Sequence, residues 1–207
     1  MSRPVVIGLT GGVASGKSTI AKMFNRLGAW VLDGDRVGHD VLKDPDVLAH
    51  IQAIWGKDVV EDGVVKRKAL ANIVFGASDR QQLNKLESIT HPKIKKLILG
   101  EIHQAESRNE IAVVLDAPLL FEAGWDQLCD KLVFVNTSLE VRIDRAKSRD
   151  WTDQELKRRE AQQLDLQQKE EKSTHTINNS TNQTTTFSQV KELWMSWGLR
   201  IAEQSKI

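Results

Sequence analysis

The chain has 207 residues and a mass of 23.3 kDa, enough for one α/β domain with an insertion or at most two small domains. Its one cysteine, Cys129, excludes an internal disulfide and any multi-cysteine zinc or iron–sulfur site, and fits a reducing cytosol. With Lys plus Arg at 29 and Asp plus Glu at 28 the net charge is +1, which argues against nucleic-acid binding by bulk charge. The most apolar stretch, Ile111–Phe121, is too short for a bilayer and contains Asp116. The start, MSRPVVIGLTGG, lacks the apolar run and small-residue cleavage site of a secretory signal. A soluble, cytoplasmic chain is expected.

Val5–Thr10, β-branched and followed by glycines, reads as a buried strand. Lys17–Leu27 reads as a helix with Ile20, Met23, Phe24 and Leu27 as its buried stripe, closed by Gly28. Trp30–Leu32 is a second strand ending on Asp33-Gly34-Asp35, beside the first at its carboxyl edge. Residues 36–110 are mostly helical in pattern, with a turn at Asp62-Gly63 and Pro92 at a first helical position. Pro92 would hold His91 extended, as a packed loop histidine. Ala112–Leu115 and Leu132–Val135 are the third and fourth buried strands, and Leu139–Ser148 is helical. The Ser/Thr/Asn-rich segment 173–188 reads as a loop, with room for a short strand near Thr176–Asn178. Phe187, Val190, Leu193, Trp194, Trp197 and Ile201 then mark a closing helix. This alternation points to a parallel sheet covered on both faces, with ligands beyond the carboxyl ends of its strands.

Between the first strand and the first helix, Gly11-Gly12-Val13-Ala14-Ser15-Gly16-Lys17-Ser18 matches the phosphate-loop pattern G-x-x-x-x-G-K-[ST]. Such a loop curls so that backbone N–H groups and the positive helix end face one concavity. Lys17 would reach the β- and γ-phosphates and the Ser18 hydroxyl would ligate Mg²⁺. Asp116, closing an apolar strand, is either a second Mg²⁺ ligand, direct or through water, or a turn residue. If the second strand's extended geometry continues, Asp33 and Asp35 share one face. They then suggest a base for an acceptor hydroxyl with a second acid nearby; the plainer alternative is an Asx turn and helix cap. Arg142–Arg159 carries seven basic residues, Arg142, Arg145, Lys147, Arg149, Lys157, Arg158 and Arg159, among acids. It is either a solvated helix with i,i+4 pairs or a lid that lays arginines on triphosphate oxygens; its place after the fourth strand favours the lid. The five scattered histidines build no metal cluster.

Taken together, GLTGGVASGKST, the DGD of Asp33–Asp35 followed by His39, LESITHPKI at 86–94, VVLDAPLLFEAGWD at 113–126, RIDRAKSRD at 142–150, and Arg159 to Gln163 with Lys169 resemble the dephospho-coenzyme A kinase family over roughly residues 4–172. The resemblance implies an α/β fold: a three-layer phosphate-loop kinase core with a parallel sheet, a helical substrate-binding insertion and a lid. The core would be about 1–35, 111–140 and 173–207, the helical substrate domain about 36–110, and the lid about 141–172. It implies ATP-dependent phosphorylation of the ribose 3′-hydroxyl of dephospho-coenzyme A, with ATP and Mg²⁺ as cofactors and no nucleic-acid or membrane partner. Asp35 would be the base, and Lys17, Arg142 and Arg149 would serve catalysis. Gly11, Gly12, Val13, Ala14, Ser15, Gly16, Lys17, Ser18, Thr19 and Asn179 would bind the nucleotide. Asp33, His91, Leu120 and Glu122 would face the acceptor, and Ser18 and Asp116 the metal. The chain departs from the family after Lys169, where Thr174-His175 and Asn178-Asn179-Ser180-Thr181 stand near the expected adenine side and keep only the Asn. The rival readings are another small-molecule phosphate-loop kinase and a nucleotide-dependent switch. The switch lacks its guanine motif, since Asn84-Lys85-Leu86-Glu87 ends in Glu.

Overall fold

In the computed structural model, which describes residues 3–76 and 80–201, the N-terminal apolar run becomes β1 (Val5–Gly11). It is the middle strand of a parallel five-stranded sheet. The order is β2 (Ala29–Asp33), β5 (Ala112–Asp116), β1, β6 (Lys131–Asn136) and β7 (His175–Asn178). Val6, Ile7 and Leu9 are fully buried, as the near-continuous apolar run of a strand covered on both faces requires. The chain divides into two compact units, one holding residues up to Gly34 and from Glu101 onward, the other Asp35–Gly100.

In the first unit, helix α1 (Lys17–Leu27) buries the expected stripe of Ile20, Met23, Phe24 and Leu27. Gly28 closes it in a left-handed conformation, its N–H donating to Asn25 and Phe24 carbonyls. Phe24 stacks on Trp197 with centroids 6.0 Å apart and meets Trp194 at 6.2 Å. These tryptophans belong to the closing helix, α9 (Gln183–Ser196), and its cap. Helices α6 (Leu139–Lys147), α7 (Asp153–Glu160) and α8 (Leu166–Glu171) follow β6. Cys129 packs where Gly8 passes, and burial pushes its thiol up to about 12, which makes it a packing residue.

Four sequence expectations are corrected. The segment 173–188 is not a loop throughout: the short strand expected near Thr176–Asn178 forms as β7, and the residues after it run into the first turns of α9. Its polar residues are spent locally, with Asn182 Oδ1 accepting from the Thr185 N–H, Asn178 Oδ1 from the Ser180 N–H, and Ser180 Oγ from the Ser138 N–H. The closing helix ends at Ser196, before Ile201. β2 does not flank β1, because β5 lies between them and pairs Asp33 with Asp116. Asp35 does not continue the strand: helix α2 (Gly34–Val41) starts at once and takes Asp35 into its first turn, off the extended face of Asp33. Gly34 permits the sharp exit, since a Cβ there would lie 2.9 Å from Ala117 Cβ and 3.0 Å from the Asp116 carbonyl.

The second unit is α2, α3 (Pro45–Trp55), the hairpin β3 (Val60–Glu61) and β4 (Val64–Val65), α4 (Arg67–Gly76) and the first part of α5 (Gln81–Ser107). The hairpin closes at the predicted Asp62-Gly63 turn, with both residues at positive φ. Asp44 caps α3 ahead of Pro45, and Lys93 bridges Asp44 and Asp46. Pro92 does not start a helix, which is a further correction: it sits inside α5, so His91 is helical rather than extended. An internal proline costs about 3 kcal/mol; burial of Ile94 and Ile98 just beyond it offsets that cost.

His175, at the start of the edge strand β7, accepts from the Trp197 indole N–H through Nε2 at 3.2 Å and meets Thr174 Oγ1 through Nδ1 at 2.8 Å. Only a neutral ring accepts at Nε2, and burial, with Lys131 adding to it, pushes His175 below its ordinary value. The unfolded chain therefore binds the extra proton first, and stability contributed here is present above pH 6.5 and lost as pH falls through the folded value. Melting curves should show His175→Gln losing less stability than the parent between pH 7.5 and 5.

Candidate active site

The loop from Gly11 to Gly16 carries β1 into α1 and is braced from behind. The Ser15 carbonyl accepts from Thr137 Oγ1 at 2.9 Å, Arg145 Nη1 at 2.9 Å and Asn179 Nδ2 at 2.7 Å. Arg145 Nη2 also donates to the Asn179 carbonyl at 2.8 Å, and Thr186 Oγ1 donates to Asn179 Oδ1. Gly16 has φ 90° beneath this brace, where a Cβ would meet Asn179 Nδ2 at 2.4 Å. Glycine is required there for both reasons. Ala14 also lies at positive φ, 60°, a conformation that alanine accepts only when its surroundings enforce it.

Lys17 folds back along the loop, Nζ donating to the carbonyls of Gly12 at 2.9 Å and Gly11 at 3.2 Å. Beside it, at the carboxyl end of β5, Asp116 takes a hydrogen bond from Ser18. Burial raises the Asp116 carboxyl above its ordinary value, Ser18 and Lys17 pull it back, and the Asp33 carboxylate raises it further. Two neighbouring carboxylates and a serine hydroxyl gain from a cation between them. Among the described residues no group of three His, Cys, Asp or Glu forms a closed metal cage. The oxygen donors present, the Ser18 hydroxyl and the Asp116 carboxylate, are of the kind Mg²⁺ takes, one or two from the protein with water and phosphate completing its shell.

The arginines separate by role. Arg142 is buried, donates through Nε to the Thr137 carbonyl and pairs with Glu160. Its guanidinium and Leu166 lie over Gly12, within 3.0 and 3.2 Å of where a Cβ would stand. Arg149 is exposed beside the Trp151 ring; burial first, and the Arg149 charge after it, lower the affinity of Arg145 for its proton. Arg158 and Arg159 pair with Glu155, which fits the solvated-helix reading for α7. The charge pattern does not single out Arg145, yet it touches the loop; only its place one turn beyond Arg142 could have pointed to it. Its loss should cost about 1.5–3 kcal/mol of loop ordering, the range for hydrogen bonds to charged groups. Arg145→Ala is expected to raise the KM for ATP by about tenfold or more, with kcat less affected, and Arg145→Lys to restore only part of it. Steady-state kinetics of both variants check this.

Asp33 pairs with Asp116 across the sheet, and Thr19 and Val13 belong to the loop and its helix. Leu120 is fully buried against Gly8, inside the core. Glu122 accepts from the Leu164 N–H at 2.6 Å and pairs with Lys169 at 3.3 Å. Lys169 is completely buried, also donating to Gln163 Oε1, and burial lowers it against the pull of Glu122. This pair ties α8 to the segment after β5. Asp35 and His91 lie in the second unit, Asp35 in the first turn of α2 and His91 half-buried in α5, where burial lowers its ring despite Glu87.

A glycine loop ending in a helix-borne lysine, with a serine–carboxylate pair at the next strand, is machinery for handling a nucleoside triphosphate, and the fold and site together define a phosphate-loop kinase. The chain belongs to the dephospho-CoA kinase family, whose model matches residues 5–185. The dephospho-CoA kinase of Latilactobacillus sakei is 39% identical over 176 residues, 84% of this chain and 86% of that one. The crystal structure of TT1252 from Thermus thermophilus superimposes with a TM-score of 0.83 at 29% identity, covering 95% of this chain and 98% of the other. The dephospho-CoA kinase from Campylobacter jejuni gives 0.69 at 26%, covering 93% and 98%.

Proposed function

We propose that the chain transfers the γ-phosphoryl group of ATP to the ribose 3′-hydroxyl of dephospho-coenzyme A, releasing ADP and coenzyme A in the cytoplasm. The observation that carries this reading is the family match over residues 5–185, on a chain in which Lys17, Ser18 and Asp116 stand together at the phosphate loop. The loop backbone from Gly11 to Thr19 cradles the β- and γ-phosphates, and Lys17 turns from its own loop carbonyls to the phosphoryl oxygens. Ser18 and Asp116 would hold Mg²⁺, which when bound neutralises charge on the transferring phosphate. Asp35 receives the proton of the 3′-hydroxyl as the new O–P bond forms and the γ-phosphorus to β-oxygen bond breaks. Asp33 holds the acceptor or the loop. Arg142 fixes the junction of β6 and α6 over Gly12, and Arg149 is the exposed arginine available to triphosphate oxygens when the 141–172 segment closes as a lid.

An ADP-release assay with dephospho-coenzyme A, run with and without Mg²⁺ and with the product identified by mass, tests the reading. Turnover should require both the metal and this acceptor. Phosphorylation of plain nucleosides at equal or higher efficiency would favour the rival kinase reading instead.

A further inference from the structure

The turn that joins α6 to α7 lays a tryptophan on the apolar cluster beneath the phosphate loop. Asp150 takes a left-handed conformation there, with φ 58°. The Trp151 N–H donates to the Ala146 carbonyl at 3.1 Å and the Asp150 N–H to the Lys147 carbonyl at 3.0 Å. This pair of bonds closes a helix end and folds the following apolar side chain back over the last turn. Trp151 is thereby packed against a cluster in which Ala146 and Leu156 meet Val13 and Ala14 of the phosphate loop. Ala14 is the loop residue at positive φ, and the cluster belongs to the surroundings that hold it there.

The same half-buried ring receives two guanidinium groups. Arg159 lies 4.2 Å from its centroid and Arg149 5.6 Å, both within reach of cation–π attraction. Their other contacts differ. Arg159 Nε donates to Glu155 Oε1 at 2.7 Å, which ties that arginine into α7. Arg149 enters no ion pair among the described residues. A guanidinium over a ring engages through its face and keeps its N–H edge for another partner, and that edge matches the oxygens of a phosphate. We propose that Trp151 is a positioning residue for the nucleotide: its ring holds Arg149 by the face with the edge left for triphosphate oxygens, and its seat on the Val13–Ala14 cluster fixes that arginine to the loop that carries the same ligand. Arg159 and Glu155 hold the ring against α7, which leaves Arg149 as the group that moves to the phosphate. The inference rests on the reading that ATP binds at the loop with Arg149 on its triphosphate, and it says what aims that arginine.

A double-mutant cycle on Trp151 and Arg149 tests it, read in kcat/KM for ATP and in the Kd of a non-hydrolysable ATP analogue with Mg²⁺. Trp151→Leu keeps apolar bulk on the cluster and removes the ring. It should weaken the analogue by about fivefold, the loss expected for one cation–π contact at a partly exposed site, and lower kcat/KM for ATP alike. The KM for dephospho-coenzyme A should stay at its parental value. Trp151→Phe, which keeps an aromatic face, should restore most of the loss. In the Arg149→Ala background, Trp151→Leu should have no further effect on either quantity. A tryptophan that served packing alone would give the same loss in both backgrounds, and that result overturns the proposal, as does parental affinity in Trp151→Leu. If the parent chain binds the analogue with this dependence on Trp151 yet does not phosphorylate dephospho-coenzyme A, the proposed reaction fails while the positioning role stands. If Trp151→Leu does not fold, the cycle is run with Trp151→Phe, whose effect of about twofold should likewise vanish without Arg149; no effect, or an additive one, overturns the proposal.

Discussion

Lys17→Ala is expected to remain folded and to lose about a hundredfold in kcat, on the order of 3 kcal/mol in the barrier. The ammonium is a preorganised charge at the point where negative charge develops, and water cannot replace it inside the loop. A second loss follows from the electrostatics of its neighbours. Lys17 is one of two groups that pull the Asp116 carboxyl down against burial and the Asp33 charge. Without it, Asp116 holds its proton to higher pH and is a poorer partner for a cation. The activity that remains should therefore need more Mg²⁺, and on acidification it should be lost at a higher pH than in the parent. Turnover at saturating ATP, a Mg²⁺ titration and a melting curve measure all of this; near-parental turnover would remove the phosphate loop from the reaction.

Asp35→Asn should keep ATP affinity and lower kcat by about 10²–10⁴, the span associated with a general base. The substitution keeps the shape of the side chain and removes only the charge. A ribose hydroxyl is a weak nucleophile, and in a loose transition state its proton leaves late, so much of the effect is alignment of the hydroxyl with phosphorus. Asp33→Asn is the control. Asp33 is registered opposite Asp116 on β5, whereas Asp35 opens a helix. The two should therefore differ in kind, with Asp33→Asn changing the Mg²⁺ requirement and Asp35→Asn changing kcat at saturating metal. If Asp35→Asn turned over normally while Asp33→Asn was dead, the roles would be exchanged.

What was readable in the sequence was local. The glycine loop, the stripe of α1 and the strand preceding it depend on residues a few positions apart, and the structure reproduces them. Sheet order depends on contacts a hundred residues apart, and there the reading of β2 as the neighbour of β1 failed. The same failure hid the meeting of Asp33 with Asp116. Gly34 was read as part of an extended pair because nothing nearby in sequence shows the Ala117 backbone pressing against it. The polar run 173–188 looked like a loop because its Ser, Thr and Asn residues favour turns. In the folded chain they cap and brace, and Asn179 reaches Ser15 across 164 positions. Pro92 was read by its usual preference, which burial on the neighbouring turns overrides. Arg145 was one of seven basic residues in its segment until the Ser15 carbonyl distinguished it.

That carbonyl has a consequence for how the chain is made. Ser15 is synthesised well before the three donors that hold its carbonyl, which arrive at positions 137, 145 and 179. β1 likewise waits for β5 and β6 before either of its edges is paired. Contacts this distant along the chain form late, after the loop-closure entropy has been met. The phosphate loop, made before its brace, therefore acquires its working shape only later, and a nascent chain halted before Asn179 has the complete phosphate-loop sequence without the Asn179 part of that brace.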